Sequence, residues 1–121
     1  MSGQIGTHMA MKAEVEICYQ YIAKQKWAKE KGVEFTLTLR SFINLKKAKK
    51  CYWTGHVMSK TGNTKRWNYA TIDRVDRRLG YIQGNCVACC FAANSIKGVL
   101  EDPNNSLKPT DLKKMIKEMS K

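Results

Sequence analysis

The stretch Thr71-Ile72-Asp73-Arg74-Val75-Asp76-Arg77-Arg78-Leu79-Gly80-Tyr81-Ile82-Gln83-Gly84-Asn85-Cys86-Val87-Ala88-Cys89-Cys90-Phe91-Ala92-Ala93-Asn94-Ser95-Ile96-Lys97-Gly98 decides the fold of this chain. Alternation from Trp67 to Asp76 predicts a strand, Leu79-Gly80 a turn, and Tyr81 to Cys89 a second extended segment. Cys90 to Val99 then predicts a short helix. Two antiparallel strands packed on a helix bring their polar groups to one edge. The Asp73 carboxylate and the Asn94 carboxamide are both oxygen ligands, and two such groups with phosphate oxygens and water suit Mg²⁺. Lys97 follows Asn94 by three residues, so it shares a helical face and can reach a phosphate. Asp76 is expected to cap the turn, with assistance to a metal as the alternative.

Outward from this segment the pattern is mostly helical. Ala10 to Lys31 carries Met11, Val15, Cys18 and Ile22 at helical spacing, with Tyr19 and Tyr21 beside them and Gly32 as the stop. The aromatic residues of this helix are expected to pack in the core. Thr38 can cap a second helix whose apolar face is Leu39, Phe42 and Ile43. Cys51 to Gly55 predicts a tight turn and Ser59 to Asn63 a loop. A final helix is expected from Asp111 to Ser120, capped by Thr110 or Ser106, with Leu112, Met115, Ile116 and Met119 on one face. Residues 1–9 lack periodicity and resemble an expression leader, which leaves 10–121 as one α+β domain with its core at about 67–98.

A chain of 121 residues has room for one ordinary domain. Its 22 basic and 10 acidic residues give a net charge of +12, which points to a polyanionic partner, nucleic acid above all. Between Phe35 and Ile72 stand eight basic residues and no Asp or Glu. Lys46, Lys47, Lys49, Lys50, Lys65 and Arg66 are therefore expected, with Lys97, to grip a phosphate backbone. No apolar run reaches the roughly 18 residues of a membrane span, and no secretory signal is visible, so a soluble cytoplasmic protein without a membrane partner is expected. Five cysteines, an odd number, argue against a disulfide framework.

The central segment resembles the ββα-metal motif of HNH endonucleases, well over residues 51–98 and loosely in the flanking helices. The resemblance implies an HNH-like core flanked by N-terminal helices and a C-terminal helix. It implies Asp73 and Asn94 as ligands of Mg²⁺ or Mn²⁺, Asn85 as the residue that holds the intervening loop, and Lys97 as the trailing lysine. The family's general-base histidine is replaced by Arg74, as in a subgroup of restriction and phage enzymes where Asp-Arg is followed by Gly-Tyr. Tyr81 stands in that place, eight residues after Asp73. Arg74 keeps its proton and cannot be a base; it can bind the scissile phosphate. Tyr81 is then a nucleophile, a group that positions water, or a packed aromatic.

Many members of the family hold a structural zinc with two Cys-x-x-Cys pairs. Here Thr54 and Ala93 replace the second member of each pair, so that four-thiolate site is missing. A rearranged set of Cys51, His56, Cys86 and Cys89 or Cys90 would need Cys86 and Cys89 on one side of an extended segment, which odd spacing opposes. A zinc-free variant is expected, with Cys51 and Cys90 buried and Trp53 and Phe91 filling the space. The activity implied is metal-dependent hydrolysis of DNA phosphodiesters, with RNA as another substrate and a homodimer as a way to lengthen the target. The alternatives are a non-catalytic nucleic-acid-binding protein, or an inhibitor of a host factor, on a degenerate scaffold of this kind. A phage or mobile-element origin is suggested by analogy alone.

Overall fold

A computed structural model describes the backbone of residues 2–121 and the side chains of 12–121. The order is α1 (Ser2–Lys31), α2 (Leu39–Lys46), β1 (Ala70–Arg74), β2 (Cys86–Cys90), α3 (Phe91–Glu101) and α4 (Pro109–Met119). The strands form one antiparallel sheet, with Ala70 opposite Cys90 and Arg74 opposite Cys86. The fold is α+β, with helices around a two-stranded sheet.

The helix signals act at several of the expected points. Gly32 ends α1 in the left-handed conformation at φ 69°, which favours glycine. Thr38 caps α2 by accepting a hydrogen bond from Ser41 N at 3.1 Å. α1 starts at Ser2 rather than Ala10. α4 starts at Pro109, where the ring sets the φ a first turn needs, and Asp111 Oδ2 accepts from Lys108 N at 2.8 Å. Thr110 therefore lies inside the helix instead of capping it.

The buried face of α1 is not the expected one. Val15, Tyr19 and Ile22 are exposed, while Ile17 and Tyr21 pack against the core and Ala28 is fully buried. Tyr21 sets this rotation. Its ring meets Phe35 and Phe42 edge-on at 5.4 and 5.3 Å, and its hydroxyl donates to Leu37 O at 2.7 Å. In α2, Phe42 and Ile43 are buried but Leu39 is exposed; in α4, Met115, Ile116 and Met119 are exposed.

Two apolar clusters lie against the sheet. Cys51, Met58, Ala70, Ala88, Cys89 and Cys90 make one, packed by Ala48, Ala92 and Ala93. Leu37, Phe42, Ile72 and Tyr81 make the other, with Cys86 beside them. The clusters divide along the strands rather than across the sheet: Ala70, Ala88 and Cys90 lie in the first, whereas Ile72 and Cys86, on the same face by the period of two, lie in the second. Small alanines and Met58 fill the first cluster; Trp53, expected there, is 43% exposed.

A short backbone braid joins this sheet region to the α1–α2 linker. Tyr81 N donates to Glu34 O at 2.8 Å, and Thr36 N and Leu37 N donate to Tyr81 O at 3.1 and 3.0 Å. Gly80 permits the approach, because a Cβ there would lie 2.3 Å from Glu34 O.

Candidate active site

The turn after β1 is held by Asn85, which is 5% exposed. Its Oδ1 accepts from Asp76 N at 2.9 Å, and its Nδ2 donates to Asp76 O and Gly80 O at 3.0 and 2.9 Å. Asp76 turns away from the sheet and takes a bidentate pair from Arg78, at 3.1 Å from Nε and 2.9 Å from Nη2. The Arg78 guanidinium, helped by the Arg78 backbone amide, holds the Asp76 carboxyl down to about 2.

With the turn fixed, Asp73, Arg74, Tyr81 and Asn94 line one cleft of about 300 Å³, together with Lys24, Trp27, Ile72, Arg77 and Glu101. A second cleft of about 480 Å³ shares Lys24, Trp27, Ile72 and Asn94 with it and runs on past Lys46, Tyr69 and Phe91. Asn94 Nδ2 donates to Thr71 Oγ1 at 3.2 Å, an orientation that leaves its carbonyl oxygen without that bond. Arg74 Nη1 donates to Arg77 O and Leu79 O at 3.2 and 3.3 Å. Its guanidinium lies 5.1 Å from the Tyr81 ring centroid. Lys24 approaches the same ring at 5.2 Å, with Phe35 and Trp27 around it. Arg74 is held there by the ring's π face and its two carbonyls, and Lys24 by the faces of Tyr81 and Trp27.

The cleft is partly neutralised from within. Lys97 Nζ lies 3.2 Å from Asp73 Oδ2 and 2.6 Å from Glu101 Oε1, and donates to Arg74 O at 2.7 Å. Burial alone would lower the Lys97 ammonium, but the Glu101 and Asp73 carboxylates outweigh it and raise its pKa. The Asp73–Lys97 approach is a charge contact outside hydrogen-bond geometry, so Asp73 Oδ2 is buried without a hydrogen-bond partner among the described residues. Its close charge partner is the Lys97 ammonium, so a metal ion at this oxygen would have to displace that contact.

The basic residues divide into two sets. Lys46 turns inward, donating to Ala70 O at 2.8 Å and lying 5.0 Å from the Tyr69 ring. Burial, then repulsion from Lys24 and Lys60, pulls its ammonium down to about 8. Lys47 pairs with Glu14 at 3.1 Å, and Lys60 donates to Lys47 O. Lys97 is the internal cation just described, not a surface one. Lys49, Lys50, Lys65 and Arg66 are exposed and form no ion pair among the described residues.

Among the described residues no group of three or more His, Cys, Asp or Glu side chains is placed to hold a metal ion. Cys51 is nonetheless unusual. Burial pushes its thiol up, but hydrogen bonds from the Thr54 side chain and from the amides of Cys90, Thr54 and Trp53 outweigh this and bring it to about 7. Burial pushes the Cys86 and Cys89 thiols up to about 11.

Sequence reasoning missed Lys24, Trp27, Thr71, Arg77 and Glu101. Thr71 and Asp73 share a strand face through the period of two, and Glu101 follows Lys97 by one helical turn, so both were available to be found. Lys24 and Trp27 arrive from a distant helix, and no local spacing announces them.

No family model matches the chain, and no solved structure matches it. It is 36% identical over 81 residues to an uncharacterized protein of Acanthamoeba polyphaga mimivirus. The match covers 67% of this chain and 14% of that protein, so the chain spans only a small part of its relative's length. No helix is long and apolar enough to cross a membrane among the described residues.

Proposed function

We propose that this chain is a metal-dependent endonuclease of the HNH type, acting on DNA in the cytoplasm of the cell it works in. The observation that carries this reading is the single cleft lined by Asp73, Arg74, Tyr81 and Asn94. Residues apart in sequence, each with a chemical use in phosphodiester hydrolysis, meet there beside basic side chains.

Asp73 Oδ2 and the Asn94 carbonyl oxygen fit a divalent cation, Mg²⁺ or Mn²⁺, because the first is buried without a hydrogen-bond partner and the second is left free by the bond to Thr71. Bound there, the ion would supply charge stabilisation for a phosphate oxygen. Lys97 would give up Asp73 and stay with Glu101, its second carboxylate. Arg74 is fixed by two carbonyls and presents its remaining N–H groups to a phosphate. Asn85 keeps Asp76 and Gly80 in place, so Arg74 and Tyr81 stay beside each other. Tyr81, 5% exposed in the second cluster, attacks, positions the water that does, or packs beside Arg74 without a chemical part.

The test is nicking of supercoiled plasmid with Mg²⁺ or Mn²⁺, with and without chelator. Asp73→Ala should abolish nicking and leave most DNA affinity, which resides in the basic residues. Full nicking by that variant overturns the reading. Tyr81→Phe then decides the nucleophile: near-complete loss marks the phenol, and activity within about tenfold, roughly 1.4 kcal/mol of barrier, marks water. A non-catalytic nucleic-acid-binding protein is the second reading, favoured by the Lys97–Asp73 contact at 3.2 Å, which already neutralises the carboxylate. Stoichiometric DNA binding with no nicking under any divalent ion would select it.

A further inference from the structure

Four ring-bearing side chains stand outside the cores, on and beside the knuckle that follows Cys51. Tyr52 is 62% exposed, Trp53 43% and Trp67 51%, and His56 is exposed with them. The rings are organised in two pairs. Tyr52 and Trp53 meet edge-on at 4.9 Å, and His56 and Trp67 at 5.2 Å. Edge-to-face packing fixes each ring without covering both faces. The backbone holding them is tied down on three sides: Tyr52 N donates to Ala88 O of β2, Cys51 N closes the knuckle onto His56 O, and Ala92 N of α3 donates to Trp67 O, each at 2.9 Å. These are rigidly mounted rings left in water.

Indole and phenol rings this exposed are an unfavourable surface unless something covers them. Their setting says what. Lys49, Lys50, Lys65 and Arg66 are exposed on the same segment, and the chain between Phe35 and Ile72 holds no acid. A second copy of a +12 chain would bring like charge to this surface. A polyanion whose units also carry flat aromatic faces satisfies both features, and that describes unpaired nucleotides. In duplex DNA the base faces are already stacked and out of reach. The platform also adjoins the cleft, since Lys97 Nζ lies 5.8 Å from the Trp53 ring centroid and 3.2 Å from Asp73.

We propose that Trp53 and Trp67, with Tyr52 and His56 beside them, form a stacking platform for unpaired bases of single-stranded DNA, whose backbone is held by Lys49, Lys50, Lys65 and Arg66. This deepens the nuclease reading by naming the substrate form, but binding can be measured without cleavage.

The experiment is affinity for an oligo-dT strand and for a duplex of equal length, in chelator, across a range of salt. Trp53→Ala with Trp67→Ala should weaken single-strand binding by about 5- to 150-fold for each base that loses its stack. Duplex binding should change little. The salt slope should stay as it is, because every phosphate keeps its lysine or arginine. Trp53→Phe with Trp67→Tyr should restore most of the loss, which a general unfolding would not allow. An equal loss on duplex, a changed slope, no loss at all, or a changed oligomeric state in sedimentation would each overturn the platform. A chain that binds single strands through these rings but never nicks DNA keeps the platform and sinks the nuclease reading; nicking without ring-dependent binding does the reverse.

Discussion

The Asp73 cleft and the segment from Lys49 to Trp67 hold charge in opposite ways. In the cleft, Lys97 is shared between Asp73 and Glu101, Arg74 is tied to two carbonyls, and Asn85 pins the turn beneath them. In the segment, Lys49, Lys50, Lys65 and Arg66 face water without a carboxylate, among uncovered rings. Partnered, half-buried groups keep a geometry; solvated lone cations attract from a distance and keep none. Removing a group from the first region should therefore cost folding stability. Removing one from the second should cost affinity alone.

The largest effect should come from Asn85→Ala. Its three side-chain bonds serve buried or half-buried backbone groups of the turn, and leaving them unmatched should lower unfolding free energy by about 2–4 kcal/mol, read from denaturant midpoints. A loss under about 0.5 kcal/mol, the level of an ordinary surface change, would erase the contrast. Next, replacing Lys49, Lys50, Lys65 and Arg66 with Gln should leave the melting temperature unchanged while the salt slope of duplex binding falls by about 0.9 for each phosphate no longer neutralised. An unchanged slope would place those side chains off the DNA.

Lys46 sharpens the comparison, because it is a lysine of the acid-free stretch drawn into the interior. Its folded pKa is about 8 against an ordinary 10.5, so between those values the unfolded chain binds more protons. The Lys46 contribution to stability then rises with pH across that window, while the Cys86 and Cys89 thiols, held protonated up to about 11, oppose it above about 9. Lys46→Met should remove this contribution, so that wild type gains stability relative to the variant as pH rises from about 8 to 10.5 in paired urea melts. An equally steep rise in the variant would show that another group titrates.

How far each region could be read from sequence follows from where its contacts come from. Thr38 as a cap, Gly32 as a stop and the strand–turn–strand–helix order around Asp73 rest on interactions within a few residues, and these were legible. The convergence of Asp73, Asn94 and Tyr81 on one cleft was legible in outline, since hairpin and helix together fix it. The orientation of α1 was not. Its apolar repeat at Val15, Cys18 and Ile22 suggested one face, yet Tyr21's contacts with residues of the linker and α2 selected another. The inward course of Lys46 and Lys97 was likewise hidden, because a lysine reads as facing water or phosphate until Tyr69, Asp73 and Glu101 are brought against it. Trp53 reads as core by composition; small alanine and cysteine side chains already fill that space.

The braid at Gly80 sets a limit on how the molecule can be cut. Tyr81 is bonded on its amide to Glu34 and on its carbonyl to Thr36 and Leu37, and the missing side chain at Gly80 lets the two strands of backbone touch. A fragment holding only the hairpin and α3 would carry every group proposed to touch the scissile phosphate, yet it would expose both polar ends of Tyr81 and strip Phe35 from its ring. The smallest autonomous piece therefore begins upstream of Glu34, and the α1–α2 linker and the Gly80 turn must vary together when either changes length or sequence.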